Sequence, residues 1–153
     1  MGGGRVTVEA ARRRWLSVLA LAPLAELERA WEELPEPPSY RLVRAPEVGL
    51  VMVQARTGGT GQRFNLGEMT VTRCTVALEG GRLGHGWVGG RAPRRAELCA
   101  LFDALLQDDG RRPGLEATVV ARLERAQQGG RAAAATRAAP TRVEFLTMVR
   151  GDD

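Results

Sequence analysis

"MTVTRCTVALEGGRLGHGWVG", residues 69–89, holds two β-prone runs, 69–79 and 82–89, on either side of Gly80-Gly81. A glycine pair accepts the positive φ that tight hairpin turns demand, so the stretch predicts an antiparallel hairpin. A two-residue turn sets Glu79 opposite Arg82. Leu78 then faces Leu83, Val76 faces His85 and Cys74 faces Trp87, all on one side of the hairpin. The other side holds Thr75 and Ala77 against Gly84 and Gly86, a surface small enough for close approach by a helix or another chain. Met69 and Val71 have the opposite parity to the apolar positions from 74 onward, which a bulge or burial on both sides would explain.

Upstream of the hairpin, 40–44 and 48–55 read as strands. The second, "VGLVMVQA", is nearly all apolar and is expected to be buried on both faces. A thirteen-residue connection from Arg56 to Glu68 separates it from the hairpin, long enough to suggest function or contact. Residues 1–6 are glycine-rich and are expected to be disordered. Thr7 can cap a helix that carries Ala11, Trp15, Val18, Leu19 and Ala22 at helical spacing. Pro23 suits the first turn of a second helix with Leu24, Leu27, Trp31 and Leu34, ended by the "PEPP" of 35–38.

Downstream, Pro93 opens a helix whose Leu98, Leu101, Phe102 and Leu105 make an amphipathic face, with Asp108, Asp109 and Gly110 as its stop. Residues 115–123 fit either strand or helix. An Ala/Arg-rich helix follows over about 124–139, weakened by Gly129-Gly130 and ended by Pro140. The tail, 141–153, alternates: Val143, Phe145 and Val149 share one face, while Leu146 and Met148 make the other apolar too. Such a tail needs cover from the sheet or from a partner. The expected fold is therefore one α+β domain over 1–153. It has two N-terminal helices, a central, mainly antiparallel sheet with a Gly-Gly hairpin, C-terminal helices and an extended tail.

The 153-residue chain is 44% hydrophobic and 26% charged, a globular composition that needs no disulfide or metal to build a core. All 22 basic residues are arginine and the net charge is +4. Coding bias accounts for much of that, and the charges are mixed along the helices, so a nucleic-acid module is disfavoured. Cys74 and Cys99 lack ligand spacing; zinc is disfavoured, and buried free thiols in a reducing cytoplasm are the favoured reading. Arg12–Arg14 followed by "WLSVLALAPLA" imitates a signal peptide, but the apolar run is short and its helical phase continues past Pro23. A cytoplasmic amphipathic helix is the better reading, and the run cannot span a bilayer.

Two features invite a chemical reading. "RTGGTGQRF" (56–64) puts Gly58, Gly59 and Gly61 between Arg56 and Arg63. It is neither a P-loop nor a dinucleotide fingerprint. It could hold an anion in a backbone nest, or let a partner's backbone come close. His85, the single histidine, could serve as a general base, but the hairpin register places it on the apolar face, where packing is the favoured role.

"RWLSVLA" (14–20), "GLVMVQARTGGTGQRFNLGEMTVTRC" (49–74), "GHGWVGGR" (84–91), "AELCALFDALLQ" (96–107) and "VEFLTMVRGD" (143–152) resemble the PhnG family of the phosphonate carbon–phosphorus lyase system. The resemblance covers the chain from about residue 12 onward. It implies an accessory, non-catalytic subunit of a core complex with H, I and J subunits, the I subunit being the expected direct contact, together with ATPase-like K and L subunits. In the committed step methylphosphonate displaces adenine from ATP, giving α-D-ribose 1-methylphosphonate 5-triphosphate. The implied cofactors belong to that assembly and not to this chain: ATP with magnesium, and S-adenosylmethionine and an iron–sulfur cluster on the J subunit. No catalytic or metal-ligating residue is carried over. The loop Arg56, Gly58, Gly59, Gly61, Arg63 and Glu68 is the candidate anion-binding or docking element. His85, Trp87, Phe145, Met148 and Arg150 are candidate partner-facing residues. A stand-alone anion-binding domain or enzyme using the loop and His85 is the alternative. Two positions depart from the family pattern: Ala92 replaces an expected Asp cap, and Arg95 replaces a His at the same helix start.

Overall fold

A computed structural model describes residues 3–58 and 61–138. The opening stretch forms most of β2 (Arg63–Leu78) and all of β3 (Leu83–Gly89), and β1 (Tyr40–Arg56) completes a three-stranded antiparallel sheet in the order β1-β2-β3. The turn is one residue longer than a two-residue hairpin. The Leu78 N–H donates to the Arg82 carbonyl at 2.9 Å and the Gly81 N–H to the Leu78 carbonyl at 2.9 Å. Glu79, Gly80 and Gly81 make the corner, with φ of +98° and +91° at the two glycines.

That extra residue corrects the expected register. Val76 lies opposite Gly84, Thr75 opposite His85 and Cys74 opposite Gly86. A shift of one position exchanges the two faces of a strand. Gly84 and Gly86 therefore share the buried face with Cys74 and Val76, while Leu83, His85 and Trp87 turn outward. The cause is the helix above. A Cβ at Gly84 would stand 1.9 Å from the Ala100 carbonyl oxygen, and one at Gly86 2.0 Å from that of Ala96. The small face does admit a helix, as its composition suggested, but with the partner residues exchanged.

β1 runs unbroken through Pro46 because bulges between Leu42 and Glu47 absorb the irregularity, and an edge strand tolerates proline there. β2 begins at Arg63, directly opposite Arg56, so the connection is only 57–62 and not thirteen residues. The 48–55 run is also not buried on both faces: Leu50 is 65% exposed and Met52 54%. The helices cover only the end of the sheet near the Gly-Gly corner. The far end of β1 and β2 is a two-stranded ribbon with a bulge at Leu66.

The covering layer is built on α3 (Pro93–Leu106), which has proline in its first turn. Ala92 offers no side-chain cap. The Thr72 hydroxyl instead accepts from the Ala92 N–H at 3.0 Å and donates to the Gly90 carbonyl at 2.6 Å. From Leu98 to Leu106 α3 is buried all round, where a one-faced helix was expected. α1 (Gly3–Leu21) and α2 (Leu24–Glu32) pack across it through Trp15, Val18, Leu19 and Leu27. Each such side chain contributes about 1.5–3 kcal/mol of burial. Trp31 closes the corner edge-on against Tyr40 and Phe102, at 6.2 and 6.1 Å. The Arg95 guanidinium donates to the Ala20 and Ala22 carbonyls at the end of α1, so arginine serves there as a C-terminal cap.

The undecided segment 115–123 is helical. α4 (Arg112–Leu115) passes through a π-helical turn (Glu116–Val120) into α5 (Ala121–Ala138). Leu115, Val119 and Leu123 bury one helical stripe. α5 continues through Gly129-Gly130. At the other end, α1 begins at Gly3 and passes through Thr7, so Thr7 is no cap and 3–6 are helical instead of disordered. Pro140 and the tail lie outside the described residues.

Candidate functional site

At the ribbon tip the structure brings Arg56 and Arg63 face to face as the last pair of the ladder. The loop beyond them is closed by its own backbone: the Gly61 N–H donates to the Thr57 carbonyl at 2.9 Å and the Thr57 N–H to the Gln62 carbonyl at 3.4 Å. Two of the amide hydrogens that a nest would offer are thus satisfied internally. Gly58 takes a positive φ of +65°, and Gly59 lies outside the described residues. Among the described residues no carboxylate pairs with Arg56 or Arg63. Glu68 is not part of this cluster. It pairs with Met52, five residues back along β2, about 16 Å from Arg63 at strand rise. The tip is a hydrogen-bonded turn presenting two guanidinium groups.

The outer face of the sheet carries His85 and Trp87. The His85 ring Nδ1 lies 3.1 Å from the Thr75 hydroxyl, and Trp87, 52% exposed, lies under the Arg73 guanidinium at 5.8 Å. Arg73 also reaches Glu47 at 3.3 Å. His85 is thus hydrogen-bonded on the open face and not packed in the core, where the expected register had placed it. Phe145, Met148 and Arg150 lie outside the described residues.

Behind the sheet sits a residue that periodicity did not single out. Asp103 is fully buried on α3. It receives Arg12 through Nε at 3.1 Å and Nη2 at 2.9 Å, the Trp15 indole N–H at 2.9 Å and the His85 backbone N–H at 2.9 Å. One carboxylate thereby ties α1, α3 and β3 together. Its only trace in the sequence is an acid inside an apolar helical run, "LCALFDALL". The two thiols are free and buried. Burial pushes Cys74 up to about 11 and Cys99 to about 12, so neither is a thiolate nucleophile near neutrality. The Arg12–Arg14 and "WLSVLAL" stretch forms α1, with Trp15 and Leu19 in the core. Among the described residues no helix is long and apolar enough to cross a membrane.

The arrangement defines an α+β chain with an open sheet face, an apolar ribbon and a cationic tip. Residues 10–151 match the family described as phosphonate metabolism protein PhnG, and the chain belongs to that family. It is 48% identical over 147 residues to the alpha-D-ribose 1-methylphosphonate 5-triphosphate synthase subunit PhnG of Rhizobium meliloti (strain 1021), covering 94% of this chain and 92% of that protein.

Proposed function

We propose that this chain is an accessory subunit of an α-D-ribose 1-methylphosphonate 5-triphosphate synthase in phosphonate breakdown. The observation that carries the reading is its 48% identity, over nearly its full length, to a protein named as a subunit of that synthase. The geometry agrees with an accessory role: the thiols are buried and protonated, while the ribbon, its tip and the outer sheet face present contact surfaces. The partners in this reading are the H, I and J subunits of a carbon–phosphorus lyase core complex with the ATPase-like K and L subunits, and I is the direct neighbour. ATP with magnesium is held by those partners, as are S-adenosylmethionine and the iron–sulfur cluster. The Arg56/Arg63 tip docks on the I subunit or lines its nucleotide and phosphonate cavity, where two guanidinium groups suit phosphate oxygens.

Co-expression with candidate H, I and J chains, followed by mass analysis of the intact assembly, tests the subunit reading. A stoichiometric complex is expected; a chain that ignores all three partners contradicts it. Within a complex, Arg56→Ala with Arg63→Ala is expected to lower synthase turnover at least about tenfold, the loss of one charge-assisted hydrogen bond to an anion. Unchanged assembly together with unchanged turnover removes the tip from the reading but leaves the subunit assignment standing.

A further inference from the structure

The described residues leave one edge of the sheet bare. On β3 the outward backbone is covered at Leu83 and His85, because the His85 N–H donates to Asp103 and the Leu83 carbonyl accepts from Gln107. Among the described residues β1, at the opposite edge, is hydrogen-bonded to β2 alone. Proteins guard exposed strand edges with charge, proline and bulges. The first half of β1 has all three: Arg41, Arg44, Pro46 and Glu47, with bulges among them. The second half, "VGLVMVQA" (48–55), has neither charge nor proline, and Leu50 and Met52 stand into solvent. An unguarded apolar edge beside a guarded one is the pattern of an edge that is covered in the working protein.

The chain carries a segment with the matching chemistry. Residues 142–149, "RVEFLTMV", equal the bare run in length, have apolar residues on both faces, and are charged only at Arg142 and Glu144, near one end. We propose that this segment of one copy adds as an antiparallel strand to 48–55 of a second copy, and reciprocally, closing a two-fold dimer. A register with Arg150 beside Glu47 sets Phe145 beside Met52 and Leu146 beside Val51. The topology favours a second copy over the same one. α5 leaves the molecule along α1, which packs on α3 and β3, while the bare edge lies across the sheet at β1. Residues 139–141 span only about 10 Å at full extension, about one helix-to-helix distance. The exchange leaves the Arg56/Arg63 tip free.

The test uses the full chain alone. Sedimentation at tens of micromolar is expected to give twice the chain mass. Leu50→Lys with Met52→Lys changes only exposed ribbon residues, and Phe145→Asp with Leu146→Asp changes the tail; each double variant is expected to sediment at the chain mass. An equimolar mixture of the two regains a dimer, because one variant keeps an intact ribbon and the other an intact tail. Met52→Cys with Phe145→Cys, oxidised after mixing and re-equilibrating ¹⁴N and ¹⁵N chains, is expected to give disulfide peptides of mixed isotope; Cys74 and Cys99 are buried and do not compete. A monomeric parent chain, a dimer indifferent to both pairs of substitutions, or cross-links confined to one isotope would each overturn the proposal.

Discussion

Asp103 shows how much one side chain carries in this chain. Its carboxylate is desolvated, and its stability depends on four donors from two other elements, α1 and β3. Asp103→Ala leaves the Trp15 indole N–H and the His85 backbone N–H without acceptors, while Arg12, at the rim, can turn to water. Removing one member of such a buried charged network costs about 3–5 kcal/mol. For a chain of this size that lowers Tm by roughly 10 °C. A thermal melt of the variant checks it, and a fall of under about 2 °C, within the scatter of surface substitutions, would contradict the account. Thr72 is a smaller case of the same logic. Its hydroxyl accepts from the Ala92 N–H at the start of α3, which reading along the helix alone could not reveal because the acceptor comes from β2.

At the scale of elements, the hairpin register is decided between β3 and α3. Gly84 and Gly86 let the helix backbone come within contact of the strand. Gly86→Ala places a methyl group 2.0 Å from the Ala96 carbonyl and 2.9 Å from the Ala100 nitrogen. Both are backbone atoms that can yield only if α3 moves. The expected cost is about 3 kcal/mol, at the upper end for overpacking. Gly49→Ala on β1 is the control, since nothing lies within 4 Å of its added Cβ. It is expected to be neutral or to stabilise by about 0.4–1 kcal/mol through the unfolded chain. Denaturant midpoints of the two variants should move in opposite directions, or only that of Gly86→Ala should move. Equal losses would mean that the close approach does not set the register.

For the whole molecule, the composition makes the alkaline limit unusually simple. With no lysine and one tyrosine, the groups that can lose a proton between pH 9 and 12 are mainly Cys74, Cys99 and Tyr40. Burial raises both thiols from 9.0, to about 11 and about 12. The hydrogen bond to Glu97, then burial, raises Tyr40. In each case the unfolded chain releases its proton first. The stabilisation is complete below the unfolded values and is lost as pH rises through the folded ones. Tm is therefore expected to fall steadily from about pH 9 toward pH 11. The slope should be shallower in Cys74→Ala with Cys99→Ala, the remainder belonging to Tyr40. An identical slope in the double variant would show that the thiols are not held protonated by the fold.

The sequence by itself determined which segments are helical or extended wherever one period dominated: α1, α2, α3, the β2–β3 hairpin and the glycine corner. It also carried the family, through the strings around the glycine loop and the tail. Tertiary structure decided what local patterns leave open. The hairpin register turned on one residue of the corner and on the space beneath α3. The conformation of 115–123 turned on burial of Leu115, Val119 and Leu123. The fate of "VGLVMVQA" turned on where the helical layer stops, because an apolar run states what a strand could bury and not whether anything lies over it. Glu68 was read as part of the loop because the ladder that carries it away from the tip is formed by pairing with β1. Backbone periodicity is a property of neighbours along the chain. Facing, covering and capping are properties of neighbours in space, and in this protein those supply the register, the Asp103 network and the bare edge.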